Sequence, residues 1–523
     1  MTLSFCPLPL RFALLATLVL TGCPSDDPMD DDDAVDDDRD GFTADIGTWT
    51  GREIEPWGCV PEADVHFPQQ WPQLERVVRI ESGGGRVNGM VLTDDCTVVI
   101  TGPFYQHFLG TVDLPVLTSP GTDGYIAAFD ANADLLWARQ FLRNGSESYS
   151  GTWLYTIADL GDVIVVGGTA PDGCVFDPQG ENIDLGTEAV GLAMALDTET
   201  GAALWWVTFD RTAVALTPVY VTDVTRIGDH VLLDLGHEDS LGMAHGSAGW
   251  DVPIIGDKLL LDADGGLVDT GAIATAGTLK VLGRDDGGLY AFGTFDETVT
   301  LGDTTYTSEN EGKDLVVGRI SADGSVLWSF TLQDLPPLSY NDQSISGADV
   351  APNGDLVLTG DFYGALSRDG EPVLNGLPET NPAYVLRISP DGDVVDAWAM
   401  QSETWVRTYE VVAFNDSVLV TGRTFFPAVL APSHMNSLSF DVTEGHKDNS
   451  FVVRLDEDGA TWMQTVEGAD YNSVQAAATR NGRLFTAGYA SGTTVFNRDR
   501  PETVEFGGGH EIYLTVSEAL GGS

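Results

Sequence analysis

The chain has 523 residues, of which 80 are acidic and 25 are basic, so its formal net charge is −55 at pH 7. This charge argues against nucleic acid and bare anionic membrane as partners, because both would be repelled. Hydrophobic residues make up 43% of the chain and 12 residues are tryptophan, a composition that argues against a disordered protein. We therefore expect a folded protein that prefers cations, basic proteins or uncharged glycans.

The first 22 residues have the form of an export signal. Arg11 precedes an apolar run over 12–20, which is shorter than the roughly 20 apolar residues of a spanning helix. Residues 20–23, LTGC, resemble the lipobox of bacterial lipoproteins. The resemblance implies removal of residues 1–22, acylation of Cys23 with fatty acids such as palmitate, and anchoring to the bacterial outer membrane, with either side of that membrane left open. The alternative is an ordinary secretory signal with an incidental cysteine.

Residues 23–48 are predicted to form a disordered acidic tether, because ten aspartates over 26–40 repel one another and bury nothing. The end of this run, DDDRDG (36–41), resembles the calcium loops of EF-hand and dockerin-like modules. That resemblance implies calcium ligands at Asp36, Asp38 and Asp40. Gly47 stands where such loops carry a bidentate acid, so a plain solvated tether is favoured over a calcium site.

Seven short β-branched runs end in glycines that lie 57 to 69 residues apart. They are TVVITG (97–102), DVIVVG (162–167), HVLLDLG (230–236), GLYAFG (288–293), DLVLTG (355–360), SVLVTG (417–422) and RLFTAG (483–488). Each belongs to a unit of four strand patterns, but the last unit lacks its fourth strand and an orphan strand, 75–82, precedes the first. We predict an all-β, seven-bladed β-propeller of four-stranded blades over 75–520, closed by the N-terminal strand, with a cap segment at 49–74.

Five of the fourth strands contain a tryptophan, and the third unit has none. The tryptophans are Trp137, Trp205, Trp328, Trp398 and Trp462. The repeats resemble the bacterial secreted β-propeller repeat, and DTETGAALWW (197–206) is also similar to the pyrroloquinoline-quinone-type repeat, in which a tryptophan docks on the neighbouring blade. Both resemblances imply a fold and no activity, so no catalytic residue and no cofactor is assigned.

Long loops between second and third strands are predicted on one face of the ring, at 103–122, 169–189, 237–256, 294–313, 361–382, 423–449 and 489–510. Binding residues are concentrated in such loops. The closing strand begins on the opposite, short-turn face, so the binding face should point away from the membrane. Six histidines lie in the long loops: His107, His237, His245, His434, His446 and His510. Solvated side chains are favoured there over a metal site.

Cysteine positions follow the same geometry. Cys59 lies just before the closing strand and Cys96 lies in the first short turn, both on the tether face. Because exported proteins favour disulfides, we predict a Cys59–Cys96 bond, with Cys174 left over in a long loop. The alternative is that all three are reduced.

The sequence therefore predicts a non-catalytic, monomeric, lipid-anchored envelope protein that binds or scaffolds a protein or glycan partner through the long-loop face. An assembly factor that docks partners in outer-membrane biogenesis is a variant of this hypothesis. The rival is a propeller enzyme, either a quinone-dependent dehydrogenase or a glycan hydrolase or lyase, with acidic residues at the channel mouth. A clustered, partly buried set of acidic and aromatic side chains at the channel mouth would favour the enzyme, and a flat polar rim would favour binding.

Overall fold

The computed structural model describes strands and turns between Pro72 and Ala519. The described ranges are 72–80, 82, 84–108, 117–143, 151–171, 173–177, 180–185, 190–210, 219–236, 243–247, 250–253, 258–269, 279–284, 286–308, 313–335, 343–376, 380–440, 449–468, 471–480, 483–496, 502–506 and 510–519. Within these ranges every regular element is a β-strand, as predicted. A search of the same ranges finds no helix of the length and hydrophobicity needed to cross a membrane. The predicted signal, tether and most of the cap segment lie outside them.

The strands form a seven-bladed β-propeller in which each blade runs from an innermost strand to an outermost one. From the inside outwards, blade 1 contains β2 (Gly89–Leu92), β3 (Val98–Phe108), β4 (Leu117–Phe129), β5 (Leu135–Arg143), β8 (Cys174–Phe176) and β9 (Ile183–Asp184). Blade 2 contains β6 (Trp153–Asp159), β7 (Val163–Ala170), β10 (Val190–Asp197), β11 (Ala203–Asp210), β14 (Met243–Gly246) and β15 (Trp250–Pro253). Blade 3 contains β12 (Tyr220–Ile227), β13 (His230–Gly236), β16 (Lys258–Asp262) and β17 (Leu267–Asp269).

The remaining blades repeat this order. Blade 4 contains β18 (Lys280–Gly283), β19 (Leu289–Phe295), β22 (Asp314–Ile320), β23 (Val326–Leu335), β26 (Ala365–Arg368) and β27 (Glu371–Asn375). Blade 5 contains β24 (Gly347–Val350), β25 (Leu356–Asp361), β28 (Ala383–Ile388), β29 (Val394–Ser402), β32 (Ala428–Leu430) and β33 (Leu438–Phe440). Blade 6 contains β30 (Val406–Ala413), β31 (Ser417–Thr424), β34 (Asn449–Asp456), β35 (Gly459–Gly468), β38 (Thr493–Phe496) and β39 (Glu502–Glu505). Blade 7 contains β36 (Ser473–Arg480), β37 (Arg483–Ala490), β40 (Glu511–Ala519) and β1 (Pro72–Ile80).

Most of the predicted long loops contain hairpins that extend the preceding blade, so five of the seven blades have six strands and the other two have the predicted four. The hairpins β8–β9, β14–β15, β26–β27, β32–β33 and β38–β39 each pair with the fourth strand of the blade before their own. Each one covers a strand edge that would otherwise present unpaired backbone groups. Each also buries an apolar side chain with 0% exposure: Phe176, Ala244, Leu366, Leu430 and Phe496. The hairpins therefore connect neighbouring blades in addition to lying on one face.

The N-terminal strand β1 lies at the outer edge of blade 7. It pairs antiparallel with β40, from Pro72 opposite Ala519 to Ile80 opposite Ile512. Val78 and Ile80 are buried in one apolar cluster with residues of blades 7 and 1, among them Leu514. The strand thus begins at Pro72, slightly before the predicted start of the propeller at 75, and takes the position of the missing fourth strand.

Tryptophans of the fourth strands pack on the next blade. The indole N–H groups of Trp137, Trp205 and Trp328 donate to the carbonyl oxygens of Thr198 (2.9 Å), Ala263 (2.8 Å) and Pro390 (2.8 Å). These carbonyls belong to turns between the third and fourth strands, and each turn has a glycine with positive φ: Gly201, Gly265 and Gly392. A Cβ atom on those glycines would lie 2.6 to 2.8 Å from the tryptophan ring. The glycines therefore serve both the turn and the close approach of the indole.

In the part of the chain that the structure describes, the junction of blades 3 and 4 has neither a docking tryptophan nor a hairpin that pairs with the preceding blade. β17 has no tryptophan, and the hairpin formed by β20 (Thr298–Leu301) and β21 (Thr304–Thr307) pairs only with itself within the described ranges. Leu301 still packs in the apolar cluster between the blades, together with Leu232 and Val316. Side-chain packing of this kind therefore takes the place of the docking tryptophan and the paired hairpin at this junction.

Candidate functional site

The propeller encloses a central channel of about 1160 Å³. One inner strand from each blade lines it, contributing Met90, Tyr155, Asp223, Lys280, Asp349, Glu410 and Gln475. We call the end with turns such as 351–355 the turn face. The opposite end, where the inner strands begin and the hairpins lie, is called the hairpin face. β40, the third strand of blade 7, ends on the turn face at Ala519. Pro72 pairs with Ala519, so β1 begins on the same face.

Bulges direct several side chains into the channel. The pairing of inner and second strands is interrupted between Leu154 and Thr156, Val221 and Asp223, Thr408 and Val411, and Val474 and Ala476. The residues within these interruptions, Tyr155, Thr222, Tyr409, Glu410 and Gln475, all line the channel. A bulge breaks strand alternation and re-aims a side chain, and such irregularities are common beside functional sites. Four of the seven blades carry one at the same level.

Asp223 of blade 3 is held in place by neighbours from two other blades. Its Oδ1 accepts hydrogen bonds from the Thr156 hydroxyl at 3.1 Å and the Val224 N–H at 2.9 Å. Its Oδ2 lies 3.5 Å from the Lys280 ammonium. Lys280 is about half exposed, with a side-chain exposure of 51%. This arrangement presents a positioned carboxylate and a cation side by side on the channel wall.

Asp349 and Glu410 add two acids whose protonation differs. Burial raises the pKa of Asp349 to about 6, opposed by hydrogen bonds from the Ala413 and Val350 N–H groups, each 2.8 Å long. Burial also raises the pKa of Glu410 to about 8, and the charges of Asp349 and Asp223 add to this effect. At neutral pH Glu410 therefore carries a proton that it can donate, whereas Asp349 is mainly ionised and accepts hydrogen bonds.

Exposed tyrosines mark the hairpin-face mouth of the channel. Tyr155 is 40% exposed, Tyr220 is 37% exposed and Tyr471 is 41% exposed. The rings of Tyr155 and Tyr220 pack edge to face with centroids 6.3 Å apart. Tyr220 is the first residue of β12, and Tyr471 lies just before β36. The mouth thus combines polar groups inside the channel with aromatic faces at its rim.

The predicted cysteine sites are only partly within the described ranges. Cys96 is disulfide-bonded, but Cys59 lies outside those ranges, so the Cys59–Cys96 pairing stays a prediction. Cys174 is not in a disulfide and is buried. It begins β8, within the predicted long loop 169–189, and its Sγ lies 3.5 Å from the Thr152 hydroxyl. Cys23 and the acids Asp36, Asp38 and Asp40 also lie outside the described ranges.

The three predicted-loop histidines whose side chains the structure describes do not meet at one point. His434 stacks on Trp398 with centroids 6.0 Å apart, and His510 stacks on Tyr489 at 5.0 Å. His245 lies in the hairpin of another blade, in β14. The search of the described part of the chain finds no group of three metal-binding side chains. The side chains of His107, His237 and His446 lie outside that part. The acids of the channel were missed by sequence reasoning because no motif connects residues from blades 3, 5 and 6.

The fold and the channel define the class of the protein, a seven-bladed propeller with a polar channel. No family model matches the chain, and no curated protein matches it. Among solved structures, the chain is similar to the extracellular domain of a protein described as a hybrid two-component system from B. thetaiotaomicron. The two are 9% identical, and the match covers 86% of this chain and 83% of that chain with a TM-score of 0.14. At this TM-score the similarity supports no inference about function.

Proposed function

We propose that this protein is an exported, lipid-anchored binding protein whose channel mouth, on the hairpin face, takes a glycan. The observation that carries the proposal is the combination of Tyr155 and Tyr220 at the rim with Asp349 and Glu410 inside the channel. Tyrosine rings provide flat faces for sugar rings. Ionised and protonated carboxyls provide an acceptor and a donor for sugar hydroxyls.

Two further observations support the export and orientation parts of the proposal. Cys96 is disulfide-bonded, and disulfides persist mainly in oxidising compartments outside the cytosol. β1 begins on the turn face at Pro72, so the chain enters the propeller at the end opposite the hairpin face.

Calorimetric titration of the mature chain with a panel of neutral oligosaccharides tests the binding site. Tyr155→Ala and Tyr220→Ala should each weaken binding by roughly 10- to 100-fold, the usual cost of truncating an aromatic anchor. Leu327→Ala is the control, because Leu327 is 53% exposed on β23, outside the channel lining. The proposal is wrong if the wild-type protein binds no oligosaccharide of the panel, or if the tyrosine variants bind as tightly as wild type.

A glycan hydrolase is the second candidate. The acids of the channel form the clustered, partly buried set expected of an enzyme, and the protonation of Glu410 favours this candidate as well. Burial and neighbouring acids raise the pKa of Glu410 to about 8, while that of Asp349 is about 6. In glycoside hydrolysis, two carboxyl groups with different pKa values usually act as the acid and the base. Chromatography of the bound oligosaccharides after incubation separates the candidates. Cleavage that Glu410→Gln abolishes, and Glu403→Gln does not, would establish the enzyme.

A further inference from the structure

Two arginines lie directly opposite each other on neighbouring strands of blade 6. Arg407 on β30 and Arg423 on β31 are paired positions of the antiparallel ladder. Like charges in this arrangement destabilise a sheet. The juxtaposition is also unusual for a chain in which 25 basic residues stand against 80 acidic ones. An anionic group between the two guanidinium groups would remove this repulsion.

Aromatic rings surround the two arginines. Strand alternation places Trp405 and Arg407 on one face of their segment, beside Arg423 and Phe425 on the next strand. The Cζ atoms of Arg407 and Arg423 each lie 5.5 Å from the Trp405 ring centroid. Arg423 Cζ also lies 5.8 Å from the Tyr409 ring and 5.9 Å from the Phe425 ring. We call these five residues the Trp405 cluster.

The backbone around the cluster is fixed from both sides. Thr424 donates its hydroxyl to the carbonyl oxygens of Trp405 (3.2 Å) and Phe426 (2.9 Å). Trp405 also forms a parallel bridge with Asn381 of blade 5. The Trp405 and Phe425 rings pack edge to face with centroids 4.6 Å apart and an interplanar angle of 87°. A site whose rings are already ordered loses less entropy when a ligand binds.

Arg407 is available to a ligand. Its side chain is exposed, and in the described ranges it makes no hydrogen bond and no ion pair. Asp361, at the end of β25, interacts electrostatically with Arg407. Burial raises the pKa of Asp361 to about 6, and the positive charge of Arg407 opposes this rise.

We infer that the Trp405 cluster binds the carboxylate of an acidic sugar residue. The guanidinium groups of Arg407 and Arg423 offer planar sets of donors that match a carboxylate, and the Trp405 indole offers a face for the sugar ring. The cluster is continuous with the channel mouth, because Tyr409 both lines the channel and lies beside Arg423. The inference rests on the proposed glycan function and names the sugar class at one end of the ligand.

A matched pair of probes tests the inference by calorimetry on the full mature protein: an oligogalacturonide and its methyl ester, which differ in charge but share the sugar rings. Wild type should bind the acid at least about tenfold more tightly than the ester, as expected for charge-assisted hydrogen bonds. Arg407→Gln and Arg423→Gln should remove this preference and leave the affinity for the ester unchanged. Trp405→Ala should weaken both probes.

Arg368→Gln is the matched control. Arg368 Cζ also lies on an aromatic ring, 3.9 Å from the Phe330 centroid, and Arg368 donates to the Gly392 carbonyl at 2.7 Å on another blade. This variant should keep the preference. If Arg423→Gln does not fold, the Arg407→Gln variant alone tests the inference, because Arg407 is exposed. Equal binding of acid and ester by wild type would overturn this inference and leave the proposed function intact. Absence of binding to both probes would also overturn this inference, and the panel of neutral oligosaccharides then decides the proposed function separately.

Discussion

Trp398 donates its indole N–H to the carbonyl oxygen of Asp456 at 3.0 Å and so links blade 5 to blade 6. The Trp398 side chain is 0% exposed. His434, which lies between the two strands of the blade 6 hairpin that extends blade 5, stacks on its ring. A single tryptophan is thus covered by its own blade, by the next blade and by that blade's hairpin, which makes it the best-packed of the docking tryptophans.

Trp398→Ala should lower the free energy of unfolding by about 3 to 5 kcal/mol, because it leaves a large cavity at a blade junction. Trp328→Ala should cost less, since Trp328 makes the same type of bond but is partly exposed. Chemical unfolding of both variants checks this order. The control is Leu327→Ala, at a side chain that is 53% exposed and should change stability by no more than about 0.5 kcal/mol. Equal losses for all three variants would contradict the docking role.

Asp269→Trp should strengthen the junction between blades 3 and 4. Asp269 pairs with Leu260 at the register where Trp205 pairs with Ala195 in blade 2. The matching glycine of blade 4, Gly324, has a φ of 85°. A Cβ atom added to it would have no neighbouring atom within 4 Å. The new indole would occupy the open space beside Gly324, and its burial should raise stability by about 1 to 3 kcal/mol. A lower unfolding midpoint, or a new tryptophan that external quenchers reach freely, would show that the blades do not align in this way.

Removal of β1 should destabilise the propeller far more than removal of the tether. Deleting 72–80 exposes the edge of β40 and removes Val78 and Ile80 from the apolar cluster that contains Leu514. Deleting 24–45 serves as the control for chain shortening. Ile80→Ala is a milder test, because Ile80 is 3% exposed and its truncation should cost about 2 to 5 kcal/mol. Identical melting temperatures for the two deletions would mean that β1 does not hold the ring closed.

Stability should fall as pH rises through the raised pKa values of buried carboxyls. The pKa values of Asp159, Asp349 and Asp361 are raised to about 6 and that of Glu410 to about 8, with burial as the largest cause. The folded protein then holds protons that the unfolded chain releases above its ordinary carboxyl pKa, so this contribution is complete at low pH and is lost by about pH 8. Glu410→Gln should flatten the loss between pH 6 and pH 8, whereas Glu403→Gln should not. Parallel slopes of unfolding midpoint against pH for wild type and Glu410→Gln would contradict the shift.

The sequence predicts the blades well because each one repeats a long-range pattern. The β-branched runs, the turn glycines and tryptophans such as Trp205 recur with one period. The runs form the second strands, the glycines lie in the turns between third and fourth strands, and the tryptophans contact the next blade. The hairpins escape prediction because their strands are short. β9 contains only Ile183 and Asp184, too few residues for alternation to appear.

The site is less predictable than the fold. Asp223, Asp349 and Glu410 are ordinary acids among 80 in the chain, and only ring closure and local bulges bring them to one channel. The Trp405 cluster does leave a signal, the alternating W-x-R-x-Y of 405–409 beside the R-x-F of 423–425. That signal becomes meaningful once the register places the two segments opposite each other.

Hydrogen-exchange mass spectrometry of the full mature chain, with and without a saturating oligosaccharide, tests the binding site most directly. A glycan at the hairpin-face mouth should slow exchange at the starts of the inner strands, over 153–156, 220–223 and 405–410. These segments contain the rim tyrosines Tyr155 and Tyr220 and the bulge at Glu410. Protection confined to the turn face, over 228–229 and 351–354, would contradict the assignment and place the ligand at the opposite end of the channel.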